Sequence, residues 1–535
     1  MHKMSYIFRL ITVAGLSLAS VACTGGFKEI NSHPYQPDDL SADDYLLGAA
    51  FAGVSGAVMS ADVNTLQFTD LLLGGPMGGY FADSQNGWGA TISNFNPTNN
   101  WTNVFMSSDK VMPELYTNYA IIVASSERQG DPTTAAIARI IKVAAMHRIS
   151  DTYGPIPYSK ITTGAQDISI PYDSEPELFK AYFADLDQSI KELAGKDYYY
   201  LAADKVYSGD PVKWAKFANS LKLRLAMRIA YADKELAQKM AEEAVKSPVG
   251  LITSNSENAT WKYFGATKNP YYVASRYNTP AGCLTGGDTH AAADITTYMN
   301  GYKDPRRAAY FVPSEWDEQE YVGLRRGIII PDLSTTGRKY SGILVKETDP
   351  ITWMNASEVA FLRAEGAAVF GFDMGDTPEN LYNTGIRLSF DQYKVDGVEE
   401  YLNDEENIPA TYKDPANTNS YGEPLSDVTV KWDENATTEK KQERIIIQKW
   451  IANWMLGNEA WADFRRTGYP HRLPATEKGN KSSGKVDSFA GPRRMPYPQE
   501  EYGKENGKYV TQAVNDYLKG SDDMTTKLWW DAKTK

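Results

Sequence analysis

The chain has 535 residues, a formal net charge of −13 at pH 7, 42% hydrophobic and 23% charged residues. This is an ordinary globular balance, and the acidic excess argues against a nucleic-acid partner, because phosphates demand clustered Lys and Arg. Tyr (34 residues) and Trp (12) together greatly outnumber Phe (18). Because Tyr and Trp join a flat apolar face to a polar group, they suit wet binding surfaces as well as helix contacts.

The first 22 residues are typical of a secretory signal. His2, Lys3 and Arg9 precede an apolar stretch over 10–22, which is shorter than the roughly 20 apolar residues that span a bilayer. Small residues lead directly into Cys23, and this arrangement resembles a bacterial lipobox. We therefore predict an acylated Cys23 followed by a tether to residue 40, with plain secretion and a free Cys23 thiol as the alternative. No later stretch is expected to span a membrane.

Cysteine usage agrees with export without a disulfide. The chain has two cysteines, Cys23 and Cys283, and an acylated Cys23 leaves Cys283 with no partner. A chain of this length can bury a large core and does not need the covalent support.

Helices dominate the mature chain. Helix signals in chain order are Asp131-Pro132 before a helix over 132–150, a capping box at Ser174–Glu177, Asp210-Pro211 before a third helix, and a fourth helix at 233–246. Helices return at 356–371 and 378–394. Neighbouring helices form pairs of the tetratricopeptide kind, which bury their faces by stacking. The predicted fold is mainly α: a single domain over 41–535 with a helical-pair scaffold over 41–250 and 355–465 and minor β structure.

Irregular stretches interrupt the scaffold. Regions 74–100 and 250–350 are rich in Gly, Asn, Pro, Tyr and Trp, and loops this long in a compact protein are usually functional or disordered. Because their aromatic content argues against disorder, we interpret them as ligand loops, with Gly327–Ile330 as a minor strand. Segment 403–440 is predicted as a surface excursion, and 468–535 as an irregular C-terminal part.

No pattern indicates catalysis. The five histidines form no H-E-x-x-H pair, no G-x-S-x-G turn is present, and Gly74–Gly79 lacks the Lys of a phosphate loop. His147, inside an amphipathic helix, is interpreted as a core or rim residue. We predict no enzyme activity, no metal site and no cofactor, although 68 acidic residues leave a glycosidase-like carboxylate pair open.

Seven short strings spread over the mature chain carry a family resemblance. They are Asp151–Tyr158 (DTYGPIPY), Lys213–Ala226, Lys303–Arg306 (with Lys303 where Asn is usual), Ser357–Glu365, Asn458–Gly468, Arg493–Pro498 and Lys527–Asp531. In order and coverage they resemble the SusD/RagB family, and its SusD-like branch in particular. The strings themselves are interpreted as mainly structural, including Glu358, Glu365, Trp461, Arg465 and Arg466.

The resemblance implies a location and a role. Such proteins are outer-membrane lipoproteins that face outwards, have a tetratricopeptide-like scaffold, and form a lid on a TonB-dependent transporter of the SusC type. They capture oligosaccharides, or in some members peptides or other nutrients, and they are not enzymes. The rival interpretations are a surface glycosidase or peptidase and a purely structural lipoprotein.

The candidate ligand residues come from the two loop regions. Sugars offer C–H faces to aromatic rings and hydroxyls to amide, carboxylate and guanidinium groups, and each loop supplies both. The predicted contacts are Asn86, Trp88, Phe95, Asn96, Tyr271, Tyr272, Arg276, Asp288, Trp316 and Tyr321. The alternative for each is that it merely holds its loop in place.

Overall fold

The computed structural model describes most of the mature chain. The described residues are 42–84, 87–98, 105, 111–161, 170–198, 200–262, 268–279, 283, 285–332, 337–503 and 505–534. The predicted signal, Cys23 and the tether lie outside them. Residues 48–535 form one compact unit, and all of the contacts described below lie within it.

Helices make up most of the regular structure. The α-helices are α1 (Ala42–Val58), α2 (Val63–Leu66), α3 (Gly75–Gly78), α4 (Val111–Gln129), α5 (Thr133–Tyr153), α6 (Glu175–Leu193), α7 (Pro211–Arg228), α8 (Lys234–Lys246), α9 (Pro270–Ala274), α10 (Ala293–Gly301), α11 (Arg307–Tyr310), α12 (Ala356–Glu365), α13 (Pro378–Tyr393), α14 (Val398–Leu402), α15 (Thr438–Ala452), α16 (Gly457–Thr467), α17 (Gln499–Gly503) and α18 (Gly507–Gln512). Wider π turns occupy Gln67–Gly74, Gly366–Phe370 and Ala513–Tyr517, and 3₁₀ turns occupy Asn255–Glu257 and Gly337–Lys339.

Strands are short and pair in twos. They are β1 (Phe81–Asp83), β2 (Ala259–Trp261), β3 (Thr289–Ala291), β4 (Phe311–Val312), β5 (Gly342–Ile343) and β6 (Ile351–Met354). Antiparallel pairs form between β1 and β3, β2 and β6, and β4 and β5. The prediction of a mainly helical protein with minor β structure is confirmed.

Caps set the beginnings of the scaffold helices. The Ser174–Glu177 capping box is complete, and the Asp210 carboxylate accepts from the N–H groups of Val212 and Lys213. Helix α5 begins one residue later than predicted: Pro132 is its N-cap, and Asp131 accepts from the Thr133 N–H instead. Helices α4 with α5, α5 with α6, α7 with α8, and α12 with α13 pack as neighbours, so consecutive helices bury one another's apolar faces.

Three expectations about the irregular regions were wrong. Gly327–Ile330 forms no strand; its carbonyls instead accept hydrogen bonds from Thr476 and Asn94. Region 250–350 is less irregular than expected, because it contains α9, α10 and α11. Segment 403–440 is not simply a surface excursion, since Tyr412, Val430 and Trp432 are buried.

One apolar run was also missed. The helical run Leu46–Gly78 has 33 residues and contains an 18-residue window with a mean hydropathy of 1.5, so by length and composition alone it could cross a membrane. Phe51, Val54, Leu66 and Leu72 are buried inside the protein, and this packing accounts for the apolar composition.

A network of buried ion pairs joins the two halves of the scaffold. The Arg224 guanidinium of α7 holds both oxygens of Glu358 of α12, at 2.6 and 2.7 Å. Arg466 of α16 holds Glu365 of α12 in the same two-pronged way, with both bonds at 2.7 Å. Lys449 of α15 has no exposed surface and lies 2.8 Å from Asp463. The family-string residues Arg224, Glu358, Glu365, Asp463 and Arg466 are therefore scaffold contacts.

Candidate functional site

The two predicted ligand loops are joined in the structure. Strand β1 pairs with β3 so that Asp83 lies opposite Thr289, and the Ser84 N–H continues the ladder to the Asp288 carbonyl at 2.8 Å. The His290 ring hydrogen-bonds with the Ser84 and Thr285 hydroxyls, both at 3.0 Å. The β1 end of the first loop and the 285–291 part of the second loop therefore form one connected surface.

A third segment completes this surface. The carbonyl of Arg338 accepts from the Thr285 hydroxyl and from the Cys283 thiol, while the Ala291 N–H bonds to the Ser341 carbonyl at 2.9 Å. The Asn94 amide donates to the carbonyls of Ile328 and Gly479, both at 2.7 Å. We call the surface built from the described residues of segments 81–96, 268–291 and 314–343 the loop platform.

Four of the ten predicted contact residues form the framework of the platform. Phe95 is 3% exposed, with a positive φ of 59°. Asn96 bridges the Gly89 carbonyl and the Thr91 N–H. Tyr271 is buried, and its hydroxyl donates to the Met455 carbonyl at 3.2 Å. Tyr321 is 9% exposed, beneath Arg307. The alternative interpretation, that such residues hold their loops, therefore fits these four.

Asp288 is also buried, and its electrostatics differ from those of an exposed carboxylate. Its side chain accepts from the Asn278 amide at 2.8 Å. Burial raises the pKa of Asp288 to about 6, and hydrogen bonds from Asn278 and Gln67 oppose the shift. Asp83, opposite Thr289, has its pKa raised to about 7 by burial; the Ser93 hydroxyl opposes this shift and the charge of Asp288 adds to it.

Besides the framework residue Asn96, which is also half-buried, four predicted residues reach solvent. Trp88, Tyr272, Arg276 and Trp316 are each half-buried. Asn86 lies outside the described residues. Because a half-buried aromatic side chain is fixed in orientation while part of its ring stays accessible, these positions are suited to contact a ligand.

Trp316 lies in a cluster of aromatic and cationic groups. The Lys339 ammonium is 4.7 Å from its ring centroid, and the Tyr340 ring is 6.0 Å away in an edge-on arrangement. The Tyr340 hydroxyl is fixed by a 2.6 Å bond to Asp414. A backbone hydrogen bond from the Glu315 N–H to the Lys339 carbonyl, at 2.7 Å, joins the two chain segments. The arrangement offers an apolar ring beside one cationic hydrogen-bond donor, Lys339.

Tyr272 lies in a second cluster of this kind. The Arg276 guanidinium stacks 4.1 Å from its ring centroid, and the Lys268 ammonium lies 5.9 Å away. Lys268 also forms an ion pair with Glu347 at 2.9 Å. The sequence placed Tyr272 and Arg276 together because they are four residues apart.

A cleft of about 650 Å³ lies beside the Tyr272 cluster. Tyr271 lines it, together with Asn258, Lys346, Gln392, Tyr393 and Trp454. Except for Tyr271, none of these residues was predicted. They come from chain segments up to about two hundred residues apart, and no local pattern in the sequence links them.

The described residues give no support for a metal centre or for catalysis. Within them, no three His, Cys, Asp or Glu side chains are grouped closely enough to hold a metal ion. His147 is 2% exposed, and burial lowers its pKa to about 3, so that the ring is neutral. Burial likewise lowers the pKa of His290 to about 4, with the Arg338 carbonyl opposing the shift.

A helical-pair scaffold that carries an aromatic loop platform defines a class of binding protein, and comparisons with known proteins identify the family. The family model described as "Susd and RagB outer membrane lipoprotein" matches residues 29–531. The chain belongs to this SusD-like family.

Solved structures agree with this assignment. A SusD homolog from Bacteroides uniformis is 56% identical with a TM-score of 0.89, over 91% of this chain and 100% of that chain. A chitin-binding SusD homolog from Flavobacterium johnsoniae is 34% identical with a TM-score of 0.82, over 91% of this chain and 99% of that chain. No curated protein significantly matches the sequence.

Proposed function

We propose that this protein captures a soluble oligosaccharide at the outer cell surface and passes it, unchanged, to a SusC-like TonB-dependent transporter. Its family consists of outer membrane lipoproteins, and one related structure, at 34% identity, is of a chitin-binding homolog. A lipid anchor on Cys23 would hold the protein at the outer face of the membrane. The role is binding, without catalysis.

The observation that carries the proposal is the Trp316 cluster. A half-buried indole beside the Lys339 ammonium offers the two features that a sugar needs, which are a ring for its C–H face and a donor for its hydroxyls. The Tyr272 and Arg276 pair repeats the combination on the same platform. Two such clusters suit a ligand with several sugar units.

The test is calorimetry with the soluble chain lacking residues 1–23, against neutral oligosaccharides that include chitin oligomers, and against peptides. Trp316→Ala and Tyr272→Ala should each weaken binding of the active ligand about two- to tenfold, the value of one aromatic contact. The matched control is Tyr200→Ala, because Tyr200 is 69% exposed and lies in the chain between α6 and α7, outside the three loop segments. Chromatography of the recovered ligand monitors cleavage.

Three outcomes would contradict the proposal: cleaved ligand, binding that neither platform variant weakens, or saturable binding of peptides alone. The anchor and the partner are tested separately in cells. Cys23→Ser should release the protein from the membrane, and the wild-type chain should co-purify with a barrel transporter. Retention of Cys23→Ser on the membrane would argue against the anchor.

A further inference from the structure

A pocket of about 400 Å³ lies in the C-terminal part of the molecule, outside the loop platform. Aromatic and charged side chains line it, chiefly Tyr421, Phe464, His471, Arg472, Asp487 and Phe489. Its volume falls within the roughly 300–1,000 Å³ range of small-molecule sites. We call it the Arg472 pocket.

Arg472 is buried in this pocket, and the described residues supply no hydrogen-bond or ion-pair partner for it. The residue is 5% exposed, and its Nε and Nη1 atoms are buried with no hydrogen-bond acceptor among the described residues. Among the described residues, no carboxylate lies within ion-pair distance of the Arg472 guanidinium. Its guanidinium carbon stacks 3.4 Å from the Phe464 ring centroid, so the group is fixed in place by packing alone.

The neighbouring charges leave an excess of positive charge. Arg326 pairs with Asp294 at 3.2 Å, while Arg325 donates to the carbonyls of Asn419, Ser420 and Pro474. Arg325, Arg326 and Arg472 therefore share one buried neighbouring carboxylate, that of Asp294, while the exposed Asp487 carboxylate lines the same pocket without forming an ion pair with Arg472 among the described residues.

The pKa of Arg472 reflects this surplus. Burial and the charges of Arg326, Arg493 and Arg465 lower the pKa of Arg472, and Asp294 opposes the shift. Arg493 and Arg465 already have acceptors, since Arg493 pairs with Asp531 and Arg465 donates to backbone carbonyls. A buried cation without a counter-charge is costly, and an anion bound in the pocket would remove that cost.

The walls of the pocket favour an anion that carries a ring. Phe489 is 62% exposed, and Tyr421 and His471 add two further accessible aromatic surfaces. The Asp487 carboxylate is occupied on one oxygen by the N–H groups of Phe489 and Ala490 and can accept a hydroxyl with the other. A guanidinium matches a carboxylate through two parallel hydrogen bonds.

We propose that the Arg472 pocket is a second binding site, which takes the carboxylate of an acidic saccharide such as a uronic acid. The carboxylate would pair with Arg472, the sugar ring would pack against Phe489 and Tyr421, and a hydroxyl would donate to Asp487. This site is separate from the neutral-sugar contacts proposed for the loop platform and does not depend on them.

The test uses calorimetry of the soluble chain with a trigalacturonate, its neutral methyl ester, and acetate as a carboxylate without a ring. The trigalacturonate should bind at least about tenfold more tightly than the ester, because a hydrogen bond to a charged group is stronger than a neutral one. Its affinity should fall with added salt less steeply than that of an exposed ion pair, since burial limits screening. Acetate should bind more weakly than the trigalacturonate, because it lacks the ring.

Variants locate the site. Arg472→Gln should abolish the difference between acid and ester. Phe489→Ala should weaken trigalacturonate binding several-fold and is expected to fold, because the side chain is mostly exposed. Trp316→Ala and Tyr200→Ala are the controls and should leave trigalacturonate binding unchanged.

The proposal is overturned if the trigalacturonate does not bind, if acid and ester bind equally, or if Phe489→Ala has no effect. Loss of trigalacturonate binding in Trp316→Ala would also overturn it, because the acid would then occupy the loop platform. Equal binding of acetate and the trigalacturonate would show an anion site without a saccharide role and would equally overturn it.

Discussion

Buried arginines in this protein differ in whether a carboxylate pairs with them. In the scaffold, Arg224 and Arg466 each hold a carboxylate of α12 with two hydrogen bonds. In the C-terminal part, Arg472 is equally buried, but it has no carboxylate partner among the described residues. Burial of a charged residue is therefore weak guidance to function, whereas a missing counter-charge is informative.

The largest expected effect tests the paired group. Arg224→Met leaves Glu358 fully buried with its main partner gone, and we expect a loss of about 3–5 kcal/mol in the free energy of unfolding. Denaturant unfolding followed by circular dichroism would measure it. Arg387→Met is the control, because the ion pair of Arg387 with Glu399 is largely exposed and should contribute little. A similar, small effect of both variants would contradict the structural role of Arg224.

Asp83 extends the comparison to the opposite charge, because it is a buried carboxylate for which the described residues supply no cationic partner. Burial raises the folded-state pKa of Asp83 to about 7, against about 3.9 in an unfolded chain. Between these values the folded state holds the proton and the unfolded state does not, so stability falls as the pH rises from about 4 to 7. Asp83→Asn should remove this dependence.

The size of the effect on the free energy of unfolding follows from the pKa shift of Asp83. Above pH 7 the Asp83→Asn variant should be more stable than the wild type by up to about 4 kcal/mol, and near pH 4 the two should be alike. Thermal unfolding across this pH range would measure the difference, with the exposed Asp197→Asn as the control. If the wild type instead gained stability toward pH 7 relative to Asp83→Asn, the carboxylate would have an undetected cationic partner.

The smallest stability effect is expected at the unpaired arginine. Arg472→Gln leaves no carboxylate without a partner, so it should change the free energy of unfolding by only about 1–2 kcal/mol, from lost packing on Phe464. The same denaturant measurement, made beside Arg224→Met, provides the comparison. A loss as large as that of Arg224→Met would show that Arg472 has a structural partner and would remove the contrast between the two groups.

The sequence predicted the scaffold well because its signals are local. Ser174 with Glu177, and Asp210 before Pro211, mark helix starts through contacts within four residues. The predictions were wrong where contacts between distant chain segments determine the local structure. Gly327–Ile330 has the composition of a strand, but Thr476 and Asn94 bond to its carbonyls, and no neighbouring strand pairs with it within the described residues.

Site prediction was limited for the same reason. Tyr271 and Tyr272 are adjacent and chemically identical, but Tyr271 packs against Phe81 in the core while Tyr272 reaches solvent under Arg276. Only the tertiary structure separates them. No local sequence pattern pointed to Arg472. Its electrostatic environment depends on Arg326 and Asp294, which are more than a hundred residues away in the chain.

The loop platform also has a consequence for how the chain folds. Helices α4 to α8 contact their sequence neighbours, and such local contacts form quickly. The bonds that assemble the platform join residues far apart: Ser84 to His290 across 206 positions and Asn94 to Gly479 across 385. Closing such long loops costs entropy before any contact compensates for it. We therefore expect the helical scaffold to form first and the binding surface to assemble last, so that the ability to hold a ligand marks a molecule that has finished folding.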